Sequence, residues 1–292
     1  MKKRLRKILE ERLPPEELAY VYNSYDIIGD IAIVRLNETS RKYGQIIAEA
    51  VMKVHRNVRT VLAQISPVYG EFRLRKLEHI AGENKTITVH RESGCLLSVD
   101  VEKCYFSPRL FHERLRVSKQ VKSGEIVVNM FAGVGAFSII IAKHSNAGKI
   151  YSIDINPAAV KYMHENIRLN RVYGKVIPME GDAKDIIQER LCHLADRVLM
   201  PLPEKAFQYL PYALSALKMD GGYVHYYDFE HADRSEIAVE KVKAKVGGKL
   251  EGLSVNFEIP FGRVVRTTGP NWYQIVLDIF VSGKSGKFNK LA

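Results

Sequence analysis

Apolar and polar positions follow two different patterns along the chain, and the change falls near residue 120. Before it, Ile27–Leu36 has the two-residue period of a strand, whereas Arg41–Val54 has the period of an amphipathic helix. Further strands are predicted at Thr60–Gln64, Thr86–His90 and Cys95–Asp100. The first part of the chain is therefore expected to be a small α+β module.

From Glu125 onward, apolar strands alternate with helices, which is typical of a parallel sheet covered by helices. The predicted strands are Ile126–Met130, Lys149–Ile153, Val176–Met179, Arg197–Met200, Gly222–Tyr227 and Trp272–Val281. A polar segment at 118–124 separates the two patterns. We therefore predict a small α+β domain over residues 1–120 and a larger α/β domain over residues 121–292.

Composition narrows the class of protein. Of 292 residues, 46% are hydrophobic and 26% are charged, as in an ordinary globular protein. No stretch approaches the roughly 20 apolar residues that span a bilayer. The three cysteines lack CxxC spacing and the histidines are scattered, which argues against disulfides and a metal site. We expect a cytoplasmic protein that uses no metal and does not bind membranes.

The charge is uneven. The chain holds 44 Lys and Arg against 33 Asp and Glu, and residues 1–122 contain 23 of the basic residues but only 15 of the acidic ones. Any one basic cluster could be a solvated face. Several clusters in one half of the chain favour a nucleic-acid surface on the first domain.

A glycine-rich turn joins the first strand of the second domain to the following helix. Its sequence is Phe131-Ala132-Gly133-Val134-Gly135, and Asp154 ends the next strand, where it can accept hydrogen bonds from a ribose. The turn alone also fits a dinucleotide site or a plain tight turn. Because Ser138 stands where the third glycine of the dinucleotide fingerprint would fall, a ligand with adenosine but no diphosphate fits better. S-adenosylmethionine is such a ligand.

Two later strand ends agree with this interpretation. Asp182 follows the third strand, where it can hold an adenine amino group, and Pro201 follows the fourth. Ligands of open α/β sheets bind beyond the carboxyl ends of the strands. The strands together outline a Rossmann-like class I methyltransferase sheet, mostly parallel with an antiparallel edge strand.

Several segments in both domains resemble the archaeal and eukaryotic tRNA guanine-37 N1-methyltransferases. The matching segments are Gly70-Glu71-Phe72-Arg73, Glu78-His79-Ile80-Ala81-Gly82-Glu83-Asn84, Tyr105-Phe106-Ser107-Pro108-Arg109-Leu110, Glu113-Arg114, Met130-Phe131-Ala132-Gly133-Val134-Gly135, Asp154-Ile155-Asn156-Pro157 and His225-Tyr226-Tyr227. The resemblance implies a donor-binding class I domain preceded by a module that grips tRNA. Family members often carry a further N-terminal domain at the tRNA elbow, which this chain is expected to lack.

The resemblance also implies roles for single residues. It makes Glu113 the general base for the N1 proton, Arg73 the partner of O6, and Tyr105 the aromatic that packs on the flipped base. The sequence leaves other roles open: Glu113 could instead pair with Arg109, Arg114 or Arg116 on a helical face, and Tyr105 could be a core residue.

Further residues are expected at the donor and at the target base. The donor-binding set is Arg114, Phe131, Ala132, Gly133, Gly135, Asp154, Ile155, Asn156, Asp182, Ala183 and Pro201. Arg109 and Pro203 are expected to bind the substrate. The expected partner is tRNA with a purine at position 37, bound by a monomer.

One departure from the family pattern affects the choice of target. The family commonly has Asn-Leu-Pro-Lys where this chain has Pro201-Leu202-Pro203-Glu204, so an amide that can orient the base is replaced by proline. Related enzymes methylate a tricyclic wyosine precursor, or transfer the aminocarboxypropyl group of the donor. Methyl transfer to guanosine is favoured; a non-catalytic RNA-binding protein and a small-molecule methyltransferase are further alternatives.

Overall fold

The computed structural model describes residues 2–22 and 24–283, except for the side chains of residues 2 and 3. The chain folds into two compact units. The boundary lies between Phe111 and His112. The helix 111–120, which the sequence assigned to the first domain, thus has all but its first residue in the second unit.

The first unit combines four helices with two small sheets. The helices are α1 (Lys2–Glu10), α2 (Pro15–Leu18), α3 (Glu38–Arg41) and α4 (Gly44–Val54), and a single 3₁₀ turn covers Pro108–Leu110. The strands are β1 (Asp26–Ile28), β2 (Ile31–Arg35), β3 (Thr60–Gln64), β4 (Leu77–Gly82), β5 (Ile87–Glu92) and β6 (Cys95–Asp100). The first four strands form one sheet in chain order, and β5 and β6 form a hairpin.

The core of the first unit lies between its sheet and the helices α1 and α4. Ile47 and Val51 on α4 are buried with Val61 of β3 and Leu5 and Leu9 of α1. The four-residue spacing of both helical pairs places them on one helix face, as the amphipathic pattern of 41–54 predicts.

The second unit is a seven-stranded sheet in which helices connect successive strands, except that a short turn joins the last two. Its helices are α5 (Phe111–Gln120), α6 (Ala136–His144), α7 (Pro157–Asn170), α8 (Ala183–Ile186), α9 (Pro203–Ala216) and α10 (Ala238–Gly252), and a π-helical turn covers Ile187–Leu191. Its strands are β7 (Ile126–Asn129), β8 (Lys149–Asp154), β9 (Val176–Glu180), β10 (Arg197–Met200), β11 (Gly221–His231), β12 (Phe257–Gly269) and β13 (Trp272–Ser282).

The strand order is β12-β13-β11-β10-β7-β8-β9. The five neighbouring strands β11, β10, β7, β8 and β9 are parallel, so their carboxyl ends meet at one edge of the sheet. The order along the chain reverses beside β7, which makes the carboxyl ends of β7 and β10 the expected place for a ligand. The predicted mostly parallel α/β sheet is confirmed.

The antiparallel strand, however, does not lie at the edge. The strand β13 is flanked by β11 on one side and by β12 on the other, and the sequence did not predict β12. Pro260 and Gly262 interrupt the strand pattern of β12, and its pairing with β13 has three register irregularities. Proline is tolerated there because β12 is an edge strand. Within residues 2–22 and 24–283, no helix is long and apolar enough to cross a membrane.

Candidate functional site

The glycine-rich turn after β7 has the backbone shape that its sequence requires. Gly133 and Gly135 have φ of 56° and 84°, in the left-handed region. A Cβ on Gly135 would lie 2.8 Å from Cγ of Met163, so a larger residue would also collide with α7. Gly135 is the N-cap of α6, and the turn therefore directs the amino end of that helix toward the carboxyl edge of the sheet.

Asp154, at the end of β8, is held by backbone donors. Its Oδ2 accepts from the amide of Gly133 at 2.6 Å, and its Oδ1 accepts from the amide of Asn156 at 2.9 Å. Burial raises the pKa of Asp154, although the two amide hydrogen bonds act against that increase. A carboxylate has about four lone-pair sites, so these two bonds leave acceptor capacity for the hydroxyls of a ribose.

Asp182 follows β9 and begins α8. Its Oδ1 caps the helix by accepting from the amide of Lys184 at 2.8 Å, and its Oδ2 accepts from the hydroxyl of Tyr209 at 2.7 Å. The Tyr209 ring also contacts Phe131 edge to face, with centroids 5.3 Å apart. The structure thus connects the strand ends of β7 and β9 through one tyrosine that the sequence did not single out.

The other expected donor-binding residues follow the same strand ends. Ala132 and Ala183 are buried, Ile155 is exposed, and Asn156 is buried and caps α7 by accepting from the amide of Ala158 at 3.0 Å. Pro201 lies in the turn after β10, and Pro203 is the buried first residue of α9. A carboxylate with open lone pairs beside a glycine turn fits an adenosine-bearing donor such as S-adenosylmethionine.

Three of the predicted residues belong to the first unit. The guanidinium of Arg73 lies 4.4 Å from the centroid of the Tyr105 ring, and Arg73 has a φ of 57°. The exposed Arg109 forms an ion pair with Asp26 at 2.7 Å. Arg73 and Tyr105, separated by 32 positions in the sequence, are therefore a stacked pair, and Tyr105 is half-buried rather than a core residue.

Glu113 belongs to the second unit, where it is 1% exposed. Its Oε1 accepts from Nε and Nη2 of Arg116 at 2.9 and 2.6 Å and from the hydroxyl of Tyr227 at 2.9 Å. Its Oε2 accepts from Nη2 of Arg263 on β12. The pairing with Arg116 was one of the alternatives that the sequence left open.

These neighbours keep Glu113 ionised. Burial acts to raise the pKa of Glu113, but the hydrogen bonds and positive charge of Arg116 and the hydrogen bonds from Arg263 and Tyr227 outweigh it and lower the pKa. Burial and the charge of Glu113 raise the pKa of Tyr227 well above its usual value, so the phenol remains a donor. An ionised carboxylate is the form that can accept a proton.

Arg116 also binds a second carboxylate, that of Asp278. Asp278 on β13 accepts from Nη1 of Arg116 at 2.6 Å and from Nη2 at 3.0 Å, a two-bond contact of the strong type. Asp278 also accepts from Gln120 at 3.1 Å. Burial acts to raise the pKa of Asp278, but His225 and Arg116 outweigh it and hold the pKa far below its usual value.

His225 completes this cluster, and its partners determine its tautomer. Nη1 of Arg197 lies 2.8 Å from Nε2 of His225, and Oδ1 of Asp278 lies 2.6 Å from Nδ1. Because arginine can only donate, Nε2 accepts and the ring proton resides on Nδ1. Burial lowers the pKa of this histidine, in agreement with a neutral ring.

Arg114, the residue after Glu113, lies near the helix that follows the glycine-rich turn. It is 2% exposed, and its guanidinium lies 6.0 Å from the centroid of Phe137 in the first turn of α6. This position suits the expected contact with the donor.

Sequence reasoning offered Arg116 as a partner of Glu113 but missed Arg263, and it missed Asp278 as the second partner of Arg116. Tyr227 belongs to a segment that the sequence singled out as family-like. Arg263 and Asp278 carried no local signal because they are 150 and 162 positions away from their partners Glu113 and Arg116. No group of three or more His, Cys, Asp and Glu side chains in the described ranges could hold a metal ion.

Comparisons with known proteins match both units. The model described as the TRM5/TYW2 methyltransferase domain matches residues 88–253, and the TYW2 N-terminal domain matches residues 5–86. The tRNA (guanine(37)-N(1))-methyltransferase Trm5b of Pyrococcus abyssi is 43% identical, over 92% of this chain and 78% of its own. The tRNA 4-demethylwyosine(37)-methyltransferase Taw21 of Saccharolobus solfataricus is 36% identical, over 89% of this chain and 94% of its own.

Two solved structures are similar as well. The complex of aTrm5 with tRNALeu has a TM-score of 0.83 at 36% identity, covering 97% of this chain and 79% of that one. Trm5 of Methanocaldococcus jannaschii in complex with adenosine has a TM-score of 0.77 at 35% identity, covering 97% and 80%.

Proposed function

The chain belongs to the TRM5/TYW2 methyltransferase family, and from that premise we propose that it methylates N1 of guanosine at position 37 of tRNA, with S-adenosylmethionine as the donor. The observation that carries the proposal is the similarity to Trm5b of Pyrococcus abyssi over nearly the whole chain. A relative in the same family is solved with tRNA and another with adenosine, and these are the two ligand classes that the proposal requires.

In this proposal the donor supplies an electrophilic methyl group, and the residues of the chain manage the guanine. Glu113 accepts the N1 proton, and the nitrogen lone pair bonds to the methyl carbon while the carbon–sulfur bond breaks, so that S-adenosylhomocysteine leaves with the bonding electron pair. Arg73 stabilises the charge that develops on O6, and Tyr105 stacks on the base. Asp154 and Asp182 hold the ribose and the adenine of the donor, while Arg114 and Arg109 contact its carboxylate or an RNA phosphate.

The ionised state of Glu113 supports the base assignment, since a protonated carboxyl could not accept a proton. Its low pKa also implies a weak base. Proton transfer to Glu113 therefore requires that the N1 proton of guanine become more acidic. A cation near O6 has this effect because it stabilises the negative charge that develops there.

A second candidate is methyl transfer to a tricyclic wyosine precursor at the same tRNA position. Pro201 replaces the family's asparagine, and proline offers no side-chain amide to orient guanine. The similarity to Taw21 favours this candidate too.

The test uses tRNA with guanosine, inosine or adenosine at position 37, and tRNA that carries 4-demethylwyosine. The donor is labelled separately in its methyl and aminocarboxypropyl groups, and the nucleosides are identified by mass spectrometry. We expect methyl label in 1-methylguanosine from the guanosine substrate. Methyl label only in the tricyclic nucleoside would establish the second candidate, and aminocarboxypropyl label in any product would contradict both.

The proposed partner also predicts a dependence on salt. Because 23 of the 44 basic residues lie within residues 1–122, tRNA affinity is expected to fall steeply with salt, whereas donor affinity is not. We further propose that the protein acts as a cytoplasmic monomer, and sedimentation at working concentration checks the oligomeric state.

A further inference from the structure

The carboxylate of Glu113 is buried, and its two oxygens receive unequal numbers of hydrogen bonds. Three donated bonds reach Oε1, from Arg116 twice and from Tyr227, and one reaches Oε2, from Arg263. An ionised carboxylate offers about four lone-pair sites on its two oxygens. Oε1 therefore has no lone-pair site left, and because Glu113 is 1% exposed, a neighbouring group must move before a substrate can reach Oε2.

Arg116 is the donor least able to leave. It makes two bonds to Asp278 in addition to its bonds to Glu113, and its guanidinium lies 4.7 Å from the centroid of the Phe261 ring. Its side chain is 17% exposed. Releasing Arg116 would leave two buried carboxylates without their cation, which is costly.

Arg263 is held much more loosely. Its side chain is 39% exposed, and its Nε has no hydrogen-bond acceptor among the residues that the structure describes. It comes from β12, the edge strand whose pairing is irregular on both sides of position 263. A guanidinium binds a phosphate in the same two-bond geometry in which it binds a carboxylate, so RNA can compete for it.

We propose that Arg263 is a releasable cap on Glu113: it occupies Oε2 in the free protein and leaves when tRNA binds, which opens that oxygen to the proton of the target base. Arg263 is then a positioning residue that acts through Glu113. The inference rests on the proposed function, because it gives Glu113 the role of the base.

The charged and titratable groups around Glu113 determine what removal of the cap should do. Arg116 faces it from α5, Tyr227 from β11 and Arg263 from β12. Asp278 on β13 is bonded to Arg116, and His225 on β11 is bonded to Asp278. Loss of one cation at hydrogen-bond distance raises the pKa of a carboxyl by about 1 unit or more. The rate of base catalysis then needs a higher pH to reach its plateau.

The experiment compares wild type, Arg263→Gln and Arg263→Lys in single-turnover methyl transfer across pH, at limiting and at saturating tRNA. Arg266→Gln is the matched control: it removes a guanidinium from the same strand, one that bonds Gln274 instead of Glu113. Calorimetric binding of S-adenosylmethionine checks that each variant keeps the fold of the second unit.

At limiting tRNA the pKa of Glu113 in the free protein determines how the rate depends on pH. The rise of the rate with pH should therefore occur at higher pH in Arg263→Gln than in wild type, which makes rates on this acid limb about tenfold lower. Arg263→Lys should lie between the two, and the control should match wild type. At saturating tRNA, wild type and Arg263→Gln should share one limb and have plateau rates within about twofold.

Two outcomes overturn the proposal on its own. If the limbs of wild type and Arg263→Gln differ equally at both tRNA concentrations, the cap stays in place during the reaction. If the plateau rate at saturating tRNA falls a hundredfold in Arg263→Gln, Arg263 acts on the reaction directly. If wild type forms no methylated nucleoside, the proposed function fails together with the cap.

Discussion

Two groups of carboxylates in the second unit are held in opposite ways. At the carboxyl edge of the sheet, Asp154 accepts hydrogen bonds from two backbone amides, and burial raises its pKa. Around α5, Glu113 and Asp278 accept from guanidinium groups, and Asp278 also accepts from His225; these partners outweigh burial and lower both pKa values. The same chemical group is therefore kept open to hydroxyl donors in one place and charge-compensated in the other.

This difference separates binding from proton transfer. A ribose needs acceptors with free lone pairs and fixed positions, which backbone amides provide without adding charge. A buried base must stay ionised away from water, which requires a cation close by. The arginines that keep Glu113 ionised also enclose its carboxylate, so in the proposed mechanism one of them must move, whereas the binding of a ribose by Asp154 needs no such movement.

The largest expected effect is the loss of methyl-transfer rate when the proposed base, Glu113, is replaced. We expect Glu113→Gln to lower single-turnover methyl transfer by about 10²- to 10⁴-fold, the usual contribution of general base catalysis, while donor affinity is unchanged. Glu240→Gln, at an exposed site on α10, is the control. An unchanged rate in Glu113→Gln would remove the base assignment.

The next effect concerns stability. Asp278→Asn removes one of the two anionic partners of Arg116 in a buried site, and removal of one partner of a buried ion pair costs about 3–5 kcal/mol. Denaturant unfolding measures this change. Asp233→Asn, whose side chain is 67% exposed, should stay within about 0.5 kcal/mol of wild type. Equal stability of the two variants would mean that the cluster does not need its second carboxylate.

The two groups also differ in how far the sequence could predict them. The glycine turn and Asp154 lie on successive apolar strands, so local patterns are enough to locate them. The sequence Asp154-Ile155-Asn156-Pro157 combines a strand end with a helix start, since asparagine before proline is a strong helix N-terminus signal. The capping role of Asn156 follows from the same residues that predicted donor contact.

The cluster around Glu113 could not be predicted in this way. Its partners come from β11, β12 and β13, and a one-residue change in the register of β13 would turn Asp278 to the other face of the sheet. The strand β12 was not predicted because Pro260 and Gly262 interrupt its apolar pattern. Arg263, which lies on this strand, was missed for the same reason. Pairings between residues so far apart in the chain depend on topology that local periodicity does not contain.

A smaller effect tests the donor edge. Asp154→Ala removes a carboxylate that the proposal bonds to ribose, and hydrogen bonds to a charged group contribute about 1.5–3 kcal/mol. We expect donor affinity to fall about 10- to 100-fold, measured by calorimetry, with tRNA affinity unchanged. Equal donor affinity in wild type and Asp154→Ala would place the ribose elsewhere.

The smallest effect is a difference in pH dependence between the two groups. The pKa of Asp278 is lower in the folded protein than in the unfolded chain, so its contribution to stability is present above the unfolded value of about 4 and is lost as the pH falls below it. The pKa of Asp154 is raised, so the folded protein binds the proton more tightly, and stability decreases as the pH rises from about 4 through the folded value. A difference of one pKa unit between the folded and unfolded states corresponds to about 1.4 kcal/mol.

Unfolding free energies measured from pH 3 to pH 7 should therefore fall less steeply on acidification in Asp278→Asn than in wild type, and more steeply in Asp154→Asn. Slopes that change in the same direction in both variants would show that the two groups of carboxylates are not held in opposite ways.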